Sequence, residues 1–465
     1  MSRYLMIDFG STFTKLTAVD TEVQDIIATA SHFTTVDSDI TIGYQNALAV
    51  LSKKLGEENP AFDKVIACSS AAGGLKMAAI GLVPELTMEA SRRVCLGAGA
   101  KVELSFSHHL SNSDIQKIID KKIDIIMLSG GTDGGNQECV LYNQEMLAKS
   151  GIKIPIIYAG NKDAVDTAKE IAKKYNLNEY FCSNVMPKLN VLNIEEPREL
   201  IRKIFLENII EAKGIKRIEN QIDKVILPTP ESVLRAVTLL ADGYMRESGL
   251  GEVVLLDIGG ATTDMYSICS SSAKRSDVVI KGLEEPYAKR TVEGDLGMRY
   301  SALGVLNALT EQEIKLINLD ENIDLEKELL FRHNNVDTIP DTEEQKKIDV
   351  IMGRICVDKA MSRHVGKMQE TYTPMGMLYN QYGKDLSKIN WVIGTGGVLV
   401  HNENPEKILS ACVYEMSKGL ELRPQYPRYM IDKDYILASM GLLAEIDPLL
   451  ALKIMKKRIV ALPQQ

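Results

Sequence analysis

One arrangement occurs twice in this chain, and it restricts the possible folds more than any other feature. "YLMIDFGSTFTKLTAVD" begins at Tyr4, and "EVVLLDIGGATTDMYSI" begins at Glu252. Each reads as an apolar strand, an Asp, a turn of Gly and small hydroxyl residues, and a second strand. Laying Asp8 over Asp257 brings Gly10 onto Gly259 and Thr14 onto Thr263. A weaker match, in the same order, pairs Ser129-Gly130-Gly131 of "IIMLSGG" with Thr395-Gly396-Gly397 of "NWVIGTGG". The expectation is a duplicated α/β lobe, with one Asp-bearing β-hairpin from each copy at a cleft between them.

At 465 residues the chain exceeds one core, and roughly 150 residues per domain predicts two to four lobes. Apolar runs such as "KVIACSSAAGG", "DIIMLSGGTDGG" and "IPIIYAGN" alternate with helical patterns, which means α/β layers. "NKDAVDTAKEIAKKY" places Ala164, Ala168, Ile171 and Ala172 on one helical face; "PTPESVLRAVTLLADGYM" does the same with Val233, Val237, Leu240 and Tyr244. Residues 1–227 are expected to form the first lobe, extended by a βα unit near 152–193 that a minimal lobe does not need; that unit is a candidate place for partner contact. Residues 228–433 are expected to form the second lobe, and 434–465 an interlobe helix returning to the first. The acidic stretch 334–349 reads as an exposed loop or lid.

Charge and composition narrow the function. Lys and Arg total 54 against 63 Asp and Glu, a net charge of −9 and a pI near 5.4. No Lys/Arg-rich run tracks a phosphate backbone, so nucleic acid is not an expected partner. No apolar stretch of about 18 residues predicts a membrane span, and "MSRYLMIDFG" enters a strand without a leader pattern. The 7 cysteines contain no Cys-x-x-Cys pair, which points to reduced thiols in a cytoplasmic protein and away from zinc or an iron–sulfur cluster within one chain.

A tight turn of Gly and Ser/Thr lets a phosphate oxygen approach several backbone N–H groups. An Asp at the end of the incoming strand adds a hard oxygen able to hold Mg²⁺ through its water shell. Lys15 would meet a phosphate as a point charge. Either hairpin alone is most simply a turn; two with the same Asp-x-Gly spacing point to a triphosphate and its metal. Neither G-x-x-x-x-G-K-[ST] nor a dinucleotide fingerprint occurs.

These residues resemble a known superfamily. "DFGSTFTK" and "LLDIGGATTD" are similar to the two phosphate motifs of the actin, Hsp70 and sugar-kinase ATPases, and "VIGTGGVL" to their adenosine motif. "DYILASMGLLA" resembles their small-residue interlobe helix, through Ala438, Ser439 and Gly441. The resemblance implies duplicated ribonuclease H-like lobes around a nucleotide cleft, binding ATP and Mg²⁺. It assigns Gly10, Ser11, Thr12, Thr14 and Lys15 to the first phosphate loop, and Gly259, Gly260, Thr262 and Thr263 to the second. Asp8 and Asp257 would hold the metal, and Gly394, Gly396 and Gly397 the adenosine end. For the residue that orients the attacking water it offers Glu231, on a helix capped by Thr229 with Pro230 in its first turn, or Asp264; Glu231 could equally do no more than favour the helix N-terminus. Lys359, Arg363 or His364 could reach adenine, or could lie on a solvated helix face. Glu293 and Asp295 fit either the cleft or an acidic loop, and Asp133 fits a turn.

Within the superfamily, "IDFGSTFTK", "LSGGTDGGN", "KRTVEGDLGMRYSA" and "ASMGLLAEIDP" resemble the MutL (GlmL) family of glutamate mutase operons over essentially the whole length. That resemblance implies an accessory ATPase, chaperone-like or reactivating, for an adenosylcobalamin-dependent mutase such as glutamate mutase. A nucleotide-binding scaffold without turnover and a small-molecule kinase of the same fold are the alternatives, although no acceptor motif is recognisable. The iron–sulfur activators of 2-hydroxyacyl-CoA dehydratases share the fold, but neither Cys95 nor Cys139 lies in a convincing cluster motif.

Overall fold

The first hairpin forms where the sequence places it. In the computed structural model, which describes residues 2–10, 13–34, 40–70, 75–212, 222–273, 275–374 and 376–463, strand β1 (Arg3–Phe9) pairs antiparallel with β2 (Phe13–Asp20). Ser11 and Thr12 lie outside the described residues. Two compact units are built: Met1–Arg235 with Ala438–Leu450, and Ala236–Leu437 with Ala451–Gln465.

In the first unit β3 (Asp25–Phe33) continues the antiparallel sheet beyond β2, and helix α1 (Ile40–Leu55) leads to β4 (Lys64–Ser69), parallel to β1. A second sheet follows: β5 (Lys76–Gly81), α2 (Glu89–Gly97), β6 (Lys101–Ser107), α3 (Asn112–Asp120), β7 (Ile125–Leu128), α4 (Glu138–Lys149), β8 (Ile156–Tyr158), α5 (Val165–Tyr175) and β9 (Glu179–Phe181). Its strands are all parallel, in the order β6-β5-β7-β8-β9. Helices between parallel strands bury both faces of a sheet, and Ile80, Leu128, Ile156 and Tyr158 are all fully buried in its core. Helix α6 (Glu195–Ala212) then leads to β10 (Lys224–Pro228), parallel to β4, and to α7 (Thr229–Asp242).

The second unit repeats the first sheet. After a small ribbon, β11 (Gly243–Tyr244) with β12 (Glu247–Ser248), come the hairpin β13 (Val253–Ile258) and β14 (Thr263–Ile268), β15 (Val278–Lys281) and β16 (Ala288–Glu293), the last antiparallel to β14. Helices α8 (Ala302–Asn307), α9 (Glu311–Glu321), α10 (Leu325–Asn334) and α11 (Glu343–His364) precede the antiparallel pair β17 (Lys367–Thr373) and β18 (Gly376–Tyr382). Strand β19 (Trp391–Thr395) is parallel to β13; α12 (Gly397–Val400), α13 (Pro405–Leu409) and β20 (Arg428–Asp432) follow, with β20 parallel to β19. Helices α14 (Leu437–Ala444) and α15 (Pro448–Arg458) and the edge strand β21 (Ile459–Ala461) end the chain.

The sheets read β3-β2-β1-β4-β10 and β16-β14-β13-β19-β20-β21. Numbered within each unit, both have the ribonuclease H-like order 3-2-1-4-5, with strands 1 to 3 antiparallel and 4 and 5 parallel to strand 1. The duplication is therefore real, but one expected correspondence is corrected. The counterpart of β19 is β4, which lies beside β1, whereas the "IIMLSGG" strand is β7 in the separate parallel sheet. A strand followed by two glycines is a local pattern that any βα corner can carry, so it could not identify the sheet. The additional material is likewise a five-stranded sheet beginning at β5, larger than a βα unit near 152–193.

Unit boundaries fall inside α7, at the start of α14 and inside α15. Ala168 and Ile171 are buried on α5, and Val233, Val237 and Leu240 on α7, but Tyr244 lies beyond the helix in β11. The acidic stretch 334–349 is a loop only between α10 and α11; from Glu343 it is helix, and Asp349 is buried. Within the first unit the small residues of α14 pack tightly. The Ser439 hydroxyl meets that of Thr17 at 2.8 Å, Ser232 donates to the Ala438 carbonyl at 2.7 Å, and a Cβ on Gly441 would stand 1.9 Å from the Ser232 carbonyl oxygen.

Two predictions follow from this packing. Gly441→Ala should lower unfolding free energy by about 1–3 kcal/mol in urea titration, since backbone must move to admit the methyl; an unchanged midpoint would contradict the close approach. Glu179, at the start of β9, has no cation partner among the described residues: Gln144 Nε2 donates to one of its oxygens at 2.6 Å, the other oxygen has no partner there, and burial pushes its pKa up from 4.5 to about 7. Because the folded pKa exceeds the unfolded one, the protonated acid favours folding below about pH 4.5, and that stability is lost as pH rises through about 7. Glu179→Gln should therefore be more stabilising at pH 8 than at pH 5, by up to about 3 kcal/mol; equal effects at both pH values would refute the buried acid.

Candidate functional site

At the mouth of the first hairpin, Asp8 is only 5% exposed. Its Oδ1 accepts from the Thr229 hydroxyl at 2.7 Å and from the Cys68 thiol at 3.5 Å. Burial, and next the Asp8 carboxylate itself, push the Cys68 pKa well up, so it keeps the proton it donates. Thr229, expected as a helix cap, thus ties the start of α7 to β1. The register sets Asp8 opposite Lys15, so their side chains share one face of the sheet. Gly10 N–H closes the turn on the Phe13 carbonyl at 3.1 Å, and a Cβ there would come within 2.6 Å of that oxygen. Thr14 takes the other face, fully buried, with its hydroxyl 3.1 Å from that of Thr34.

Glu231 is 3% exposed and already held. Arg202 on α6 donates Nε to Oε2 at 3.0 Å and its terminal nitrogen to Oε1, while Arg235 reaches Oε1 at 3.1 Å and also pairs with Glu445. Both carboxylate oxygens are engaged by guanidinium groups. A general base needs a lone pair directed at water, and this arrangement directs them at arginines.

The second hairpin has the same turn, Gly259 N–H to the Thr262 carbonyl at 2.9 Å. Here Asp257 stands opposite Asp264, and two like charges directly across a pair of strands destabilise it. Arg290 on β16 offsets this: almost wholly buried, it reaches Asp264 Oδ1 with Nε at 2.9 Å and a terminal nitrogen at 2.7 Å. Thr262 donates to Asp264 Oδ2 at 3.2 Å. Thr263, like Thr14, is buried on the opposite face and donates to the Leu296 carbonyl at 2.9 Å. A loop after β16 seals the back of the turn. Met298 N–H donates to the Gly259 carbonyl at 3.0 Å, Arg299 N–H to Gly260 at 2.8 Å, and the Ser301 hydroxyl to Ala261 at 2.6 Å. With three carbonyls of the turn occupied, its repulsion of an anion is reduced.

At the adenosine motif, Gly396 has φ +100°, and a Cβ would lie 2.2 Å from the Ile258 carbonyl oxygen, so the chain leaving β19 can pass this close to the end of β13 only with glycine there. Gly394 faces Leu399, Leu409 and Ile431 in the core, whereas Gly397 is exposed, with Tyr435 Oη the nearest atom to its Cβ position at 3.8 Å. Burial first, then Asp257 and Asp432, raise the Tyr435 pKa, so the phenol stays neutral beside the motif. A cavity of ≈ 370 Å³ opens next to α12, lined by Leu399, Val400, Asn402, Glu403 and Lys433 among others; none of the three glycines lines it.

The remaining candidates have internal roles in the structure. Arg363 pairs with Glu293 at 2.8 Å and with Asp295 at 2.6 Å, and Lys359 with Glu313 at 2.7 Å. His364 is fully buried between the Thr291 and Ser267 hydroxyls, both at 2.8 Å, and burial drives its pKa well down. Asp133 accepts from Lys162 N–H at 3.0 Å and Asn184 Nδ2 at 2.9 Å, a turn role. Sequence reading missed Arg290, Tyr435 and the sealing loop. The traceable signal for Arg290 was a charge inside the strand "AKRTVE"; for the loop it was the paired glycines of "EGDLGMR".

Comparison with known proteins adds the family. Residues 4–459 match the family model described as "MutL protein". The chain is 50% identical over 460 residues to "Protein MutL" of Clostridium tetanomorphum, covering 99% of this chain and 100% of that one. Remote likenesses among solved structures include a diol dehydratase-reactivating factor in nucleotide-free form (11% identity, 96% of this chain and 99% of that chain, TM-score 0.38). Another is component A of the (R)-2-hydroxyglutaryl-CoA dehydratase of Acidaminococcus fermentans (9% identity, 98% and 99%, TM-score 0.29). Likenesses this distant carry no chemistry.

Arg290→Met should destabilise the second unit by about 3–5 kcal/mol in urea unfolding, because it strands the Asp264 carboxylate. Adding Asp264→Asn should recover part of the loss; no recovery would mean that Arg290 acts through packing alone.

Proposed function

The chain belongs to the MutL protein family, and from that premise we propose that it binds ATP with Mg²⁺, hydrolyses it, and serves as a reactivating or chaperone-like accessory protein for an adenosylcobalamin-dependent mutase such as glutamate mutase, in the cytoplasm. The observation that carries the nucleotide part is the duplication. Two 3-2-1-4-5 sheets each place an Asp at the end of strand 1 and the same Gly-closed turn immediately after it. One such turn would be unremarkable; recurrence at the same register of two sheets calls for a ligand with repeated anionic groups.

The residues fit the metal as an outer-sphere ion. No group of three or more His, Cys, Asp or Glu that could hold a metal occurs among the described residues. Mg²⁺ keeps most of its water and needs few carboxylates, so Asp8 and Asp257 would suffice. When bound, the metal would neutralise phosphate charge. Asp8 is oriented by Thr229, Lys15 adds a cation on its face, and the second turn has its carbonyls occupied by the loop behind it. Gly10, Gly259 and Gly260 would offer backbone N–H groups to phosphate, and Gly397 and Tyr435 would flank the adenosine end.

A second reading, binding with little turnover, is favoured by one observation: Glu231 and Asp264 both have their carboxylates engaged by buried or half-buried arginines. Phosphate release from Mg-ATP, alone and with a candidate mutase, separates the two. In the ATPase reading release rises with the mutase and falls at least about 100-fold in Asp8→Ala and Asp257→Ala. ATP binding without release under either condition would favour the scaffold, and absence of nucleotide binding would refute both.

A further inference from the structure

Between hairpin 2 and α11 the second unit carries a helical excursion that the nucleotide reading does not use. Residues 310–344 contain eleven Asp and Glu against three Lys and Arg, a net −8 in a chain whose total is −9. Within it α9 has no buried residue, although its sequence "EQEIKLINLDE" is half apolar on one side. Ile317 packs against the core, while Leu316 and Leu319 face out, Leu319 at 78% exposure. Leu330 and Phe331 on α10 are also exposed, and Ile339 is 82% exposed. A stable surface helix normally turns such residues inward. Seven of the acids, Glu311, Asp320, Asp324, Glu326, Asp337, Asp341 and Glu344, make no ion pair among the described residues.

We propose that α9, α10 and the loop after them form a docking surface for a protein segment that presents Lys or Arg around an apolar stripe. Charge complementarity selects this occupant. Nucleic acid and anionic lipid would be repelled by the acids, and so would a second copy of a chain with net charge −9. An uncharged apolar partner would leave the acids without a purpose at its rim. The exposed leucines and Phe331 would supply the apolar contact, and the acids orientation and speed of encounter.

The surface is also wired to the second hairpin. Arg299 gives its N–H to the Gly260 carbonyl at 2.8 Å, its guanidinium to Asp349 Oδ2 at 2.9 Å, and a further bond to the Thr338 carbonyl at 3.1 Å, next to Ile339. Arg332 of α10 binds the same Asp349 at 2.7 Å. A displacement of the turn therefore moves the docking loop through one side chain. This coupling rests on the nucleotide reading; the docking surface does not.

The test uses a fluorescent 18-residue helical peptide of Leu and Lys, titrated into the full chain by anisotropy, beside a Ser/Lys peptide of equal charge. The Leu/Lys peptide should bind, with affinity falling as salt rises. Leu316→Ser/Leu319→Ser, on an exposed face and so expected to keep the wild-type circular dichroism spectrum, should weaken it at least 10-fold, as should Glu311→Lys/Asp320→Lys/Glu326→Lys. Equal binding of the Ser/Lys peptide, indifference to the leucine pair, or self-association of the chain that those leucines control would overturn the proposal. Mg-ATP should shift peptide affinity at least 3-fold, and Arg299→Met should abolish the shift. If ATP binds without shifting it, the coupling falls; if ATP does not bind while the peptide does, the nucleotide reading falls and the docking surface stands.

Discussion

The register of the two antiparallel hairpins is the constraint on which the rest depends. Asp8 lies opposite Lys15 and Asp257 opposite Asp264. A slip of one residue would send both Asp side chains to the core face and bring Thr14 and Thr263 out. Both threonines are held inward by hydrogen bonds, to Thr34 and to Leu296, so each unit locks its own register from behind. Chemistry at the turns follows from a lock placed on the opposite face.

The two hairpins solve the same electrostatic problem differently. Asp8 is stabilised by neutral donors, a hydroxyl and a thiol kept protonated by burial, with Lys15 opposite. The second hairpin places a carboxylate where the first has lysine, and requires Arg290 in the core to offset it. A buried ion pair adds little net stability but is costly to break. Arg290 therefore specifies the geometry of that hairpin more than it strengthens the unit.

Both units enlarge the same sheet at places that keep strands 1 and 2 untouched. The first inserts a parallel five-stranded sheet between β4 and β10; the second inserts an acidic helical excursion between β16 and β19. The connection between the adjacent parallel strands β4 and β10 must cross over a sheet face, and it can lengthen there, as can the link from β16 to β19, without disturbing the strand pairing. Hairpin turns have no such freedom, which is why the duplication stayed visible at the turns.

The sequence by itself determined the α/β class, the duplication, and the positions of Asp8, Gly10, Asp257 and Gly259, because a strand–Asp–Gly turn is encoded by neighbours a few residues apart. It also placed α5, α7 and the small-residue helix, whose 3.6-residue periodicity is local. Only the tertiary structure decided which strand stands beside β1, since β4 and β7 carry the same local pattern and their partners are remote in sequence. It alone placed Arg202 on Glu231, Arg290 on Asp264 and the loop after β16 behind Gly260, contacts spanning 29, 26 and 39 residues. The reach of a side chain towards its partner depends on how sheets and helices pack, and no periodicity in the chain records it.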